Sequence, residues 1–87
     1  MKWYYDEEHL IKAHQYWRKN RKSLENDKVC GCFYCIRIFS PNEIDEWWDE
    51  DESTAECPYC GIDSVIGESS GFPITKMFLK EMHKKYF

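Results

Sequence analysis

No apolar run in this 87-residue chain approaches the roughly 20 residues a membrane-spanning helix needs, which excludes such a helix. The opening residues, Met1-Lys2-Trp3-Tyr4-Tyr5-Asp6-Glu7-Glu8, hold no apolar core of a secretory signal, so the expected compartment is the cytoplasm. There is no internal repeat beyond two Cys-x-x-Cys pairs, and no low-complexity segment beyond a short acidic run. Basic residues almost vanish from the middle. Residues 29–71 hold Arg37 alone against ten acids, whereas 1–28 hold seven bases and five acids, and 72–87 four bases and one acid. The net charge of −4 is therefore an acidic middle between two basic ends. Length is the remaining shortage. One domain spanning 1–87 is expected, with a core small enough to need a staple. An aromatic share of 17% argues against disorder.

Cysteine, by contrast, is dense, with five in the chain. An odd count without a secretory signal favours a metal site over disulfides. Cys32-Phe33-Tyr34-Cys35 is followed, 21 residues later, by Cys57-Pro58-Tyr59-Cys60. Two residues between cysteines let a tight turn aim both thiolates at one tetrahedral centre, and two such turns supply four ligands. Four thiolates leave no open position for water, so the expected role is structural, not catalytic. One zinc ion is the expected cofactor, with iron less favoured, and the metal-free chain is expected to lose this region's fold. Cys30 stands outside the pattern. A partly buried free thiol is the simplest reading, with a swapped ligand or a redox thiol as alternatives.

Pro58 fixes φ after one cysteine, and Gly61 permits a left-handed backbone after the next. The stretch Cys57-Pro58-Tyr59-Cys60-Gly61 resembles the knuckle of rubredoxins and zinc ribbons. Cys32-Phe33-Tyr34-Cys35-Ile36 lacks the matching glycine, a departure that weighs against an electron-transfer iron site. Over residues 30–87, Cys30-Gly31-Cys32-Phe33-Tyr34-Cys35, Cys57 to Gly67 and Phe72-Pro73-Ile74-Thr75 resemble a group of small bacterial zinc-ribbon proteins of the cytoplasm. That resemblance implies a fold and a compartment but no activity.

The fold class expected is small α+β: a zinc ribbon of antiparallel hairpins (29–68) between an N-terminal helix (1–28) and a C-terminal helix (72–87). Asp6 reads as an N-cap with Glu7 and Glu8 in the first turn, and Leu10, Ala13, Trp17 and Leu24 follow at helical spacing, predicting one helix from about Asp6 to Leu24. Cys35 to Phe39 reads as a strand. Glu43 to Trp48 reads as a strand or one helical turn. Asp49 to Thr54 reads as a solvated loop. Thr54-Ala55-Glu56 and Ile62 to Ile66 read as paired strands, and Gly67 to Pro73 as a loop. Thr75 reads as the N-cap of the last helix, stapled by Ile74 and Leu79.

Gly67-Glu68-Ser69-Ser70-Gly71 matches a hydrolase nucleophile elbow, but that motif needs a large α/β sheet for which the chain is too short. No enzymatic activity is expected. His9, His14 and His83 have no ligand spacing to the cysteines and read as surface or interface residues. Eight acids fall between Glu43 and Glu56, with Trp47 and Trp48 among them. An outward tryptophan ringed by acids suits a basic protein partner, whereas both tryptophans covering the core is the plainer reading. The function expected is a non-catalytic protein-binding module that masks or inhibits a basic partner through Trp47, Trp48, Asp49, Glu50, Asp51 and Glu52. The alternative is a nucleic-acid-binding zinc ribbon using Lys12, Arg18, Lys19, Arg21 and Lys22, which the acidic middle disfavours. The plainer reading of those bases docks them on the acidic middle of the same molecule or leaves them solvated.

Overall fold

A computed structural model describes residues 7–87. Helix α1 (Glu7–His14) runs into a 3-10 turn (Gln15–Trp17), and α2 (Arg21–Asn26) follows after a break. Strands β1 (Cys30–Cys32), β2 (Ile38–Phe39), β3 (Trp47–Trp48), β4 (Thr54–Ala55) and β5 (Val65–Gly67) precede α3 (Lys76–Tyr86). The class is small α+β with antiparallel sheets, as expected. No described helix is long and apolar enough to cross a membrane.

Three assignments are corrected. The single helix over 6–24 is two helices, because the chain turns at Lys19, whose φ is +50°. There Lys19 N–H donates to Thr54 Oγ1 at 2.8 Å and Arg21 N–H to the Ser53 carbonyl at 2.9 Å. Tertiary hydrogen bonds outweigh helical continuity at that point. The N-cap expected at Asp6 lies outside the described residues. The strand expected over 35–39 is only Ile38–Phe39, since residues 32–36 are spent on a turn. The pairing of 54–56 with 62–66 does not form. Strand β4 pairs with β3, Trp47 opposite Ala55, while β5 pairs with β1, Cys32 opposite Val65. The larger sheet thus has the order β2-β1-β5.

That sheet separates two apolar clusters, by the alternation of side chains along a strand. Val65 joins Cys30, Cys32, Cys57, Phe39, Ile44, Ala55 and Leu24 on one face. Ile66 joins Phe33, Leu10, Ala13, Phe78, Leu79 and Met82 on the other. Gly31 lies between Cys30 and Cys32 on the helical face. A Cβ there would stand 2.7 Å from Leu79 Cδ1 and 3.0 Å from Ile74 Cγ2, so its bare backbone admits α3. Thr75 caps α3 as expected, its Oγ1 accepting from Phe78 N–H at 3.1 Å. The segment after β5 is a 3-10 turn (Glu68–Ser70), tied to Asp27 through Ser69 rather than left as a loose loop.

Candidate metal centre

Cys32 ends β1, and Cys35 follows in the turn that connects β1 to β2. Cys57 and Cys60 lie in the turn between β4 and β5. Both turns close in the same way: Ile36 N–H bonds to the Cys32 carbonyl and Gly61 N–H to the Cys57 carbonyl, each at 2.9 Å. Ile36 has φ +67° and Gly61 has φ +78°. The first knuckle therefore adopts the left-handed conformation without a glycine. The missing glycine does not separate zinc from iron, as the sequence suggested. Ile36, packed against the helical cluster, holds a backbone that usually costs a non-glycine residue about 1 kcal/mol or more.

The four sulfurs all lie within 4.8 Å of one another. Cys32 and Cys60 Sγ are 3.6 Å apart, and Cys35 and Cys57 Sγ 3.7 Å. A disulfide would need about 2.05 Å. A tetrahedron with metal–sulfur bonds of about 2.3 Å puts its sulfurs about 3.8 Å apart. The set thus has the dimensions of a metal cage. Cys32 and Cys57 are buried and Cys35 and Cys60 half-buried, so the centre sits at the edge of its cluster.

Amide groups of both knuckles turn toward sulfur. Tyr34 and Cys35 N–H approach Cys32 Sγ at 3.4 and 3.5 Å, and Tyr59 N–H approaches Cys57 Sγ at 3.4 Å. The Ser64 hydroxyl lies 3.1 Å from Cys32 Sγ. Burial opposes ionisation of Cys32, but Ser64 and these amides outweigh it and hold the thiol below its ordinary pKa. Burial pushes Cys57 up to about 11 and raises Cys60 as well. A cation that binds thiolates must displace those protons, so affinity falls with acidity. Ser64 was not foreseen, since a lone serine before a strand carries no sequence signal.

Cys30 is not part of the cage. Its side chain is fully buried and points to the Phe39 carbonyl at 3.5 Å. Burial, with nearby negative groups, raises its thiol to about 12. It is a buried core thiol outside the four-cysteine group. No histidine joins the cage either. His14 stacks on Tyr86 at 3.6 Å between centroids, and His83 Nδ1 lies 3.1 Å from the Phe33 carbonyl, where it donates.

The acidic segment divides in two. Trp47 is half-buried under the Arg21 guanidinium, 4.7 Å from its ring. Trp48 is 44% exposed, and its indole N–H donates to Glu56. One tryptophan faces in and its neighbour out, as a strand requires. Asp49 to Glu52 form the exposed turn between β3 and β4, with Asp49 Oδ2 accepting from Thr54. Arg21 also donates to the Glu52 carbonyl at 3.0 Å. Part of the basic segment therefore docks on the acidic turn of the same molecule. No family model, curated protein or solved structure matches the chain.

Proposed function

We propose that the chain is a zinc-ribbon binding module without catalytic activity, whose acidic edge engages a basic protein partner. The observation that carries this reading is Trp48. It is a large aromatic side chain, 44% exposed, whose indole N–H donates to Glu56, in a segment whose Asp45, Glu46 and Glu50 are exposed. An aromatic among carboxylates offers contact area at low entropic cost and attracts cations at long range. The four-thiolate cage supports the structural half of the reading, because four protein ligands leave no site for substrate or water. Zinc suits such a closed set, and iron in it would colour the protein. The docking of Arg21 on Trp47 and Glu52 weakens the nucleic-acid alternative, because it removes that cation from the free basic face.

The test is affinity capture from native lysate with metal-loaded protein and with Trp48→Ala. The expected result is a basic protein retained by the first and lost by the second, with metal content unchanged. Equal retention by Trp48→Ala, or no retained protein, would remove the reading.

A further inference from the structure

A cleft of about 570 Å³ opens beside the first knuckle, between β2, Tyr59 and the start of α3. Arg37, Lys76 and Lys80 line it. Arg37 is the sole base within residues 29–71, and the fold carries it to the basic C-terminal helix. Lys76 and Lys80 stand one turn apart on α3, so their side chains project from the same side of the helix. No carboxylate lines the cleft, and none of the three cations forms an ion pair among the described residues. Lys12, Arg21 and Lys85 each meet a glutamate, whereas Arg18, Lys19, Lys22, Lys28 and Lys84 also form no ion pair among the described residues but do not line this cleft. In a chain of net charge −4, three uncompensated cations converging on one concavity are a feature of their own.

The cleft also has an aromatic wall. The Arg37 guanidinium carbon lies over the Tyr59 ring at 4.7 Å from its centroid, and Tyr59 meets Glu43 through its hydroxyl and Phe39 at 5.5 Å between centroids. Ile36 and Ile38 add apolar surface. The volume falls in the range of small-ligand sites, about 300–1,000 Å³.

We propose that this cleft binds a compact phosphate-bearing ligand of nucleotide size. A guanidinium over an aromatic ring keeps N–H donors for phosphate oxygens, and two ammonium groups supply further charge. The apolar walls take the remainder of the ligand. A compact anion is favoured over a nucleic-acid strand because the rest of the surface, net acidic, repels an extended polyanion. The competing explanation is that the three cations only offset the negative charge of four thiolates on a divalent metal.

Calorimetric titration of the metal-loaded protein at low salt tests the proposal, with ATP, pyrophosphate and a short single-stranded oligodeoxythymidylate as probes. ATP and pyrophosphate are expected to bind saturably. Arg37→Ala, and separately Lys76→Gln with Lys80→Gln, are expected to weaken both by about tenfold or more, as loss of charge-assisted bonds does. Lys22→Gln with Lys28→Gln, the same change of charge outside the cleft, is expected to leave both unchanged. No saturable binding of ATP or pyrophosphate overturns the proposal. So does an equal loss in the control pair, or tighter binding of the oligonucleotide than of ATP. Cleft variants that alter metal retention but not anion affinity establish the charge-balancing explanation instead.

Discussion

Asn20 is 4% exposed, yet every polar atom of its side chain is used. Its amide nitrogen donates to the carbonyls of Tyr16 (2.9 Å) and Val65 (2.8 Å), and its oxygen accepts from Ala55 N–H at 3.1 Å. One side chain thus joins the helical segment to both sheets. Asn20→Ala leaves a buried carbonyl and a buried N–H without partners, and each such group costs about 1–3 kcal/mol. The expected loss is about 2–4 kcal/mol, read as a lower urea midpoint with unchanged slope. Nothing in the sequence marked Asn20, because an asparagine among surface bases resembles any loop residue. Cys30 makes the opposite case. Its separation from the ligand pattern was legible, but its burial came from the pairing of β1 with both neighbours. Cys30→Ala is expected to keep one metal per chain, while Cys57→Ala loses it, by elemental analysis of the folded protein.

Among elements, α1 meets α3 through Leu10 and Ala13 against Phe78, Leu79 and Met82, and His14 adds a ring contact at the edge. Its ring stacks on Tyr86 and meets Phe33 and Trp17 at tilted angles. Burial, and then the nearby Lys85 charge, lower its pKa below the ordinary value of 6.5. The folded state therefore binds this proton less tightly than the unfolded state. The associated stability is complete above about pH 6.5 and is lost as pH falls through the lower folded value. Thermal melts from pH 7.5 downward are expected to show this decline first in α1–α3 docking, followed through Trp17 fluorescence. His14→Phe keeps an aromatic ring and is expected to flatten the decline between neutral pH and the range where thiolates begin to protonate. An unchanged slope would assign the decline to other groups.

Over the whole molecule, the four-cysteine cluster is built into the core rather than hung from it. Cys32 and Cys57 belong to the same buried cluster as Leu24, Phe39, Ile44 and Val65. Phe33, inside the first knuckle, belongs to the helical cluster across the sheet. One turn of chain thus serves both clusters. A structural zinc in such a site contributes on the order of 10–16 kcal/mol, against a total stability of about 5–15 kcal/mol for typical domains. If the cluster holds a metal, chelation is expected to cost more than the cysteine turns. Helical circular dichroism and tryptophan fluorescence should be lost together with the metal, and return on adding zinc. Retention of α1 and α3 docking after complete metal removal would show that the helical cluster stands alone.

The grouping of Cys32, Cys35, Cys57 and Cys60, the cap at Thr75 and the small α+β class were legible because each rests on local chemistry. Cys-x-x-Cys spacing fixes a turn, a threonine oxygen reaches an amide three residues on, and helical periodicity repeats within a few turns. The N-terminal helix misled because its continuity is decided by Lys19, Asn20 and Arg21 bonding to residues 53–55 and Val65. The strand pairing misled because β5 reaches across to β1, 37 residues earlier in the pair Cys30–Gly67; two-residue and three-residue strands carry too few positions to specify partners from alternation alone. Whether Trp47 or Trp48 faces solvent followed from the pairing of β3 with β4, and the gathering of Arg37, Lys76 and Lys80 at one cleft from the tertiary fold. The sequence by itself determined which atoms can hold a metal. Only the tertiary structure decided which charges are spent inside the molecule and which are left at its surface, because that depends on contacts between segments far apart in the chain.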